Sequence, residues 1–169
     1  MTVPRVRRFV AALIVAGGLL SCVAMRTGQE IEPPQPETDA PPQEVAAYHL
    51  VEDGRQQLAS GQTETAMATF QKALALAPSS PHANLALAEA KIQQGQFRAA
   101  LVYCDRVARL AGDDPAWRWR VALIRAHAFE GVGDVVRSAA EFRRVLDDVP
   151  DNADAQAGLV RLESAPRIP

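Results

Sequence analysis

The feature that most constrains the fold is a helical stretch that returns along the chain. Residues 61–78, GQTETAMATFQKALALAP, place Ala66, Phe70 and Ala73 at positions i, i+4 and i+7, which share one face of a helix. A glycine opens this stretch and a proline closes it, as expected for a short helix with marked ends. The frame returns after 34 residues and again after a further 38, at Gly95, Ala100, Cys104 and Gly112, and then at Gly133, Ser138, Phe142 and Pro150. Three stretches in register predict a series of similar helical units.

Close packing gives this frame its physical meaning. The small residues Ala66, Ala100 and Ser138 let the second helix of each unit approach the first, and the residues four positions on fill the space toward the next unit. A period of 34 residues built from two helices resembles the tetratricopeptide repeat. The resemblance implies an all-α fold, a right-handed superhelical solenoid of about three helix pairs with a C-terminal capping helix. About three stacked units are the usual minimum for stability, so this chain is expected to fold alone.

The start of the chain has the pattern of an export signal. Three arginines within the first eight residues precede an apolar run of 12 residues, 9–20. A helix needs about 20 apolar residues to span a bilayer, so this run is too short to be a membrane span and predicts a signal peptide.

The residues after this run indicate lipid attachment. Leu19-Leu20-Ser21-Cys22 resembles the lipobox of bacterial lipoproteins, which implies cleavage after Ser21 and acylation of Cys22, palmitate included. A cut after Ala24 is the alternative, and the Arg7-Arg8 pair matches a twin-arginine signal only weakly. Val23 follows the cysteine where an aspartate would favour the inner membrane. We therefore expect a lipid anchor in the bacterial outer membrane, facing the periplasm, with the inner membrane as the alternative.

The complete organisation predicted from the sequence has four segments. They are a signal peptide at 1–21, a disordered proline-rich and acidic tether at 22–45, a repeat domain at 46–163 and a flexible tail at 164–169. The repeat domain divides into units 47–80, 81–114 and 115–152 and a cap at 153–163. The tether contains too little apolar surface to fold and favours extended geometry, which at about 3.1 Å per residue would reach up to roughly 70 Å from the membrane.

The sequence contains little that predicts catalysis. His49, His82 and His127 lie in different units, without metal-ligand spacing among themselves or with Cys104. No nucleophile motif, glycine-rich loop or basic run is present. Loss of the signal peptide would leave 15 basic and 20 acidic residues, a net charge of −5. We predict a protein with no enzymatic activity, cofactor, metal, nucleic acid or small-molecule substrate, in which Cys104 is a small buried apolar residue.

The resemblance also implies a binding groove. In this family the first helix of each unit lines the concave face, where a protein or peptide segment binds. By position, the lining would be Tyr48, Val51, Arg55 and Leu58 from the first unit, His82, Leu85, Glu89 and Ile92 from the second, and Arg120, Leu123, His127 and Glu130 from the third. Val51, Leu85, Ile92 and Leu123 would form an apolar floor with charges of both signs around it.

The segment Trp117-Arg118-Trp119-Arg120 is a further candidate for binding. It coincides with the departure from the 34-residue period and contains both tryptophans of the chain, next to arginines. Tryptophan and arginine are the types most enriched at interface hot spots, so Trp117 and Trp119 form a possible hot spot. In the alternative interpretation both rings fill the space created by the longer unit, with the arginines lying over them.

Together these features predict a membrane-anchored scaffold that acts through protein–protein contacts in the bacterial cell envelope. Lipoproteins of this kind resemble pilotin-like assembly factors for a pilus or secretion system, and also adaptors for cell-wall enzymes. The sequence contains no motif that decides between these two roles.

Overall fold

A computed structural model describes residues 34–164 of the chain. These residues form seven α-helices and no strand: α1 (Pro42–Ala59), α2 (Thr63–Leu76), α3 (Pro81–Gln93), α4 (Phe97–Ala111), α5 (Pro115–Gly131), α6 (Val135–Asp148) and α7 (Ala153–Ser164). The predicted signal peptide, the acylated Cys22, the first part of the tether and residues 165–169 lie outside the described residues. Within residues 34–164, no helix has both the length and the apolar character needed to cross a bilayer.

Two of the helix starts follow directly from residue chemistry. Ser80 and Asp114 each accept a hydrogen bond from a backbone N–H in the first turn, at 3.3 and 2.8 Å. In both cases proline is the first helical residue, where its missing N–H costs nothing and its fixed φ suits the helix. Ser80-Pro81 and Asp114-Pro115 therefore begin α3 and α5.

The turns within the helix pairs repeat one backbone conformation. Gly61, Gly95 and Gly133 have φ values of +75°, +70° and +82°, each between the first and second helix of a pair. Residues with a side chain rarely adopt this left-handed conformation, so glycine is required at the same place in each unit. The glycine of the sequence frame therefore marks the turn.

The helices form two layers. The odd-numbered helices α1, α3 and α5 contact one another in succession, and each also packs against the even-numbered helix that follows it. Each even-numbered helix also contacts the next odd-numbered one. We call the surface of α1, α3 and α5 that faces away from the even-numbered helices the inner face.

The side chains four positions after the small residue of each frame fill the space between units. Phe70, Cys104 and Phe142 are fully buried. Phe70 packs among residues of α1 and α3, and Phe142 packs with residues of α5 and α7. Glycines make room for both phenylalanine rings: a Cβ built on Gly54 would lie 2.3 Å from Phe70, and one on Gly158 would lie 2.4 Å from Phe142.

The small residues of the frame are also completely buried. Ala66, Ala100 and Ser138 have no exposed surface, as the sequence frame predicts. The hydroxyl of Ser138 donates a 2.9 Å hydrogen bond to the carbonyl of Ala126, so this buried polar group is satisfied.

The last helix covers the end of the stack. Leu159 and Leu162 of α7 pack against the cluster that contains Phe142, as expected for a cap. The helix ends at Ser164, one residue beyond the predicted boundary.

The N-terminal boundary of the folded part differs from the prediction. The first helix begins at Pro42 rather than at residue 46, because proline is favoured at the first helical position. Residues 34–41 precede it, and all of them except Thr38 line a cleft together with Pro81, His82 and Trp117. The last twelve residues assigned to the tether are thus part of the folded unit.

Candidate functional site

The twelve residues predicted to line the groove fall into two groups in the structure. Val51 and Leu85 have no exposed surface, and His82 and Arg120 keep only 4% and 6%. The other eight retain partly exposed side chains: Tyr48, Arg55, Leu58, Glu89, Ile92, Leu123, His127 and Glu130.

The apolar floor predicted from the sequence is therefore wrong for two of its four members. Val51 packs with residues of α2 and α3, and Leu85 packs with Trp117 and Val121 of α5. Because neighbouring odd-numbered helices touch directly, side chains that point toward the next helix are covered by it. Of these four, Ile92 and Leu123 remain partly exposed and available for apolar contacts.

The centre of the inner face is a strip of alternating charge. Arg55 on α1 lies 3.7 Å from Glu89 on α3 and 2.8 Å from Glu52 of its own helix. Arg120 on α5 interacts electrostatically with both Arg55 and Glu89, and its guanidinium carbon lies 4.3 Å from the centre of the Trp119 ring. Charges of both signs thus lie side by side on α1, α3 and α5, with that of Arg120 largely buried.

Partial burial changes the proton affinities of this strip. Burial raises the pKa of Glu89, and the neighbouring Arg55 opposes this effect. Burial also lowers the pKa of Arg120 to about 10, with a further contribution from the like charge of Arg55. Arg120 therefore stays protonated at neutral pH, and its charge is less completely solvated than that of a surface arginine.

One end of the inner face is closed by the last helix. The Nε2 atom of His127 lies 2.9 Å from a carboxylate oxygen of Asp154, and Glu130 accepts two hydrogen bonds from Arg161, at 3.0 and 3.2 Å. Asp154 and Arg161 both belong to α7. His127 and Glu130, predicted to face a partner, therefore bind the capping helix.

At the opposite end of the inner face, three aromatic rings form a row. The ring of His82 lies edge to face between Tyr48, at 5.0 Å, and Trp117, at 4.7 Å between ring centres. Tyr48 belongs to α1, His82 to α3 and Trp117 to α5. Burial lowers the pKa of His82, so its imidazole is neutral near pH 7.

Residue spacing in the sequence could have predicted both the charged strip and the row of aromatic rings. Arg55 and Glu89 are separated by one repeat period, and so are Tyr48 and His82, while Trp117 follows His82 after 35 residues. Residues one period apart occupy equivalent places on adjacent units and so lie next to each other. Opposite charges or aromatic rings at that spacing predict contact across the inner face.

Comparisons with known proteins agree with this architecture. Residues 57–124 match the family model of the tetratricopeptide repeat. The tetratricopeptide-repeat domain of Arabidopsis OM64 superimposes with a TM-score of 0.64 at 22% identity, covering 73% of this chain and 99% of the other. The chain has the tetratricopeptide-repeat fold.

Two further structures of this fold illustrate its range. The second tetratricopeptide-repeat domain of human RPAP3, in complex with the HSP70 peptide SGPTIEEVD, matches with a TM-score of 0.61 at 18% identity, over 72% of this chain and 99% of the other. The Yersinia enterocolitica type III secretion translocator chaperone SycD matches with a TM-score of 0.59 at 16% identity, over 70% and 92%. Among curated proteins, none matches the chain significantly. The tetratricopeptide repeat is a protein-interaction scaffold, generally without enzymatic activity.

The structure places the two tryptophans of the repeat domain differently. Trp117 is 7% exposed and packs with Leu85 and Val121 in the core, whereas Trp119 is only partly buried, against the C-terminal cluster. The exposed Arg118 pairs with Asp148 of α6. Trp117 is covered in this structure, so it is not an exposed hot spot for a partner, and Trp119 remains a candidate.

The other reactive groups of the repeat domain are either buried or scattered. Cys104 is a free thiol with no exposed surface, and burial raises its pKa to about 12, so the nucleophilic thiolate is strongly disfavoured. Residues 34–164 contain no group of three or more His, Cys, Asp or Glu side chains that could hold a metal ion.

Proposed function

We propose that this protein is a lipid-anchored scaffold of the bacterial cell envelope that binds a segment of a partner protein on its inner face. The observation that carries the proposal is the charged strip at the centre of that face. Arg55 and Glu89 retain 22% and 36% of their side-chain surface, which leaves both available to a partner.

The chemistry of the strip favours a particular kind of segment. Arg55 and Glu89 carry opposite charges, so a partner with charges of both signs would meet complementary groups on α1 and α3, whereas a purely acidic segment would be repelled by Glu89. Ile92 and Leu123 beside the strip supply limited apolar contact. A tetratricopeptide-repeat domain of RPAP3 is known in complex with a peptide, which supports binding of a segment rather than of a small ligand.

Neutralising Glu89 is expected to weaken capture of the partner. With a photoreactive residue in place of Ile92, we expect crosslinks to an envelope protein, and Glu89→Gln should reduce their yield about fivefold or more, as for loss of a charged hydrogen bond. The readout is the crosslinked band, identified by mass spectrometry.

The matched control is the same substitution at Glu64, which is exposed on α2 in the outer layer. Glu64→Gln should leave the yield unchanged, and a photoreactive residue at Val102, 54% exposed on α4, should not give the same band. Equal yields from the Glu89 and Glu64 variants would exclude the inner face as the binding surface.

The membrane anchor is tested separately. Cys22→Ser is expected to leave the precursor uncleaved by the lipoprotein signal peptidase and to move the protein out of the outer-membrane fraction, because the acyl chains supply the stable attachment. Fractionation followed by immunoblotting measures this shift. If the variant fractionates like the parent chain, the proposed lipid anchor at Cys22 is incorrect.

A further inference from the structure

The aromatic end of the inner face is covered by a segment of the chain itself. Residues 34–41 and the starts of α3 and α5 enclose a cleft of about 380 Å³. Pro34, Pro36 and Pro41 line it from the segment, and Pro81, His82 and Trp117 are among the residues that line it from the helices. The segment therefore lies against His82 and Trp117, near the N-terminal ends of α3 and α5.

A directed hydrogen bond joins the segment to this row. The Nε2 atom of His82 forms a hydrogen bond with the backbone carbonyl oxygen of Pro34. Because a carbonyl can only accept, Nε2 must carry the hydrogen, and the neutral imidazole then has Nδ1 without one. Nδ1 is buried and has no hydrogen-bond partner within residues 34–164, so the ring is held by Pro34 and by its two aromatic neighbours.

The segment has properties suited to such a surface. Three of its eight residues are proline, and the N–H of Ala40 donates a 2.9 Å hydrogen bond to the carbonyl of Glu37, which closes a turn at Thr38 and Asp39 after the irregular stretch 34–37. Proline restricts the unbound chain, so docking loses little conformational entropy, and aromatic-lined surfaces recognise extended proline segments for this reason. The hydrogen bond from His82 is made to a main-chain carbonyl, so the site contacts the backbone of the segment as well as its proline rings.

We propose that His82 and Trp117, with the ring of Tyr48 packed against His82, form a recognition site for a proline-containing segment, and that residues 34–41 of this chain are its resident occupant. The occupant is tethered directly to α1, so its effective concentration at the site is on the order of millimolar. A partner segment that extends to this end of the inner face must displace it. Only that competition rests on the proposed function, since the docking itself requires no partner.

The docking is measured by cleavage before Asp39 with endoproteinase Asp-N, followed by mass spectrometry of the full chain. A synthetic peptide of residues 30–45 supplies the rate for the same bond when it is unprotected. We expect the full chain to be cleaved at this bond at least tenfold more slowly than the peptide. Equal rates in the chain and the peptide would overturn the proposal, and this comparison involves no substitution.

Three variants then assign the protection to the site. His82→Phe keeps an aromatic ring but removes the donor, and should accelerate cleavage about two- to tenfold, as expected for one lost hydrogen bond. His82→Gln keeps an N–H near the position of Nε2 and should stay within about twofold of the parent chain. His49→Phe, on the exposed face of α1, should have no effect. If His82→Phe is cleaved at the parental rate while thermal melting shows it to be folded, the segment does not dock through this site.

Discussion

Replacing Trp117 with alanine is expected to lower the free energy of unfolding by about 3–5 kcal/mol, the range for truncating a large buried aromatic residue. Its ring is 7% exposed and packs in a cluster with residues of α3, α4 and α5, including Leu85, Cys104 and Val121. The cavity left behind would lie between two units, where neither can relax without the other. Chemical denaturation followed by circular dichroism measures the loss.

Trp119→Ala is the matched comparison. Its ring is partly buried against the C-terminal cluster and stacks under the guanidinium of Arg120, so we expect a smaller loss, of about 1–2 kcal/mol. Equal losses would show that both rings fill internal space, as one interpretation of the sequence holds. If Trp117→Ala left stability unchanged and abolished partner capture, its place in the core would be contradicted.

The repeat architecture could be predicted because its determinants are close together in the sequence. Ala66 and Phe70 lie on one helical face, and each meets a residue of the preceding helix across a single glycine turn. The spacing between small residue, large residue and turn is fixed by helix geometry, so the frame specifies the contacts within a unit. The structure places the small residue and the residue four positions on in the core in all three copies.

The surface properties of the inner face could not be predicted in the same way. Whether Val51 and Leu85 are covered depends on how closely α1, α3 and α5 approach one another, and no residue spacing within one unit specifies that distance. The position of residues 34–41 is also non-local, because Pro34 and His82 are 48 residues apart. Composition alone favoured an extended tether, since proline-rich acidic segments rarely contain enough apolar surface to pack.

The second large effect on the free energy of unfolding is expected at the contact between Phe70 and Gly54. Phe70→Ala is expected to cost about 3–5 kcal/mol, because the ring is fully buried between α1 and α3. Gly54→Ala should also destabilise, although alanine is the better helix former by about 1 kcal/mol. The new methyl group would lie 2.3 Å from Cε1 and 2.6 Å from Cδ1 of a ring that has no free space, and overpacking of this kind costs about 1–3 kcal/mol.

The two substitutions should not be additive. In the Phe70→Ala background the ring that excludes the methyl group is gone, so Gly54→Ala should become neutral or stabilising through helix propensity alone. We therefore expect a coupling free energy of at least about 1 kcal/mol in a double-mutant cycle measured by urea denaturation. If Gly54→Ala instead raised stability in the parent chain, the Phe70 ring could move aside at little cost. Close approach of α1 to α2 would then not explain why glycine occupies this position in a helix.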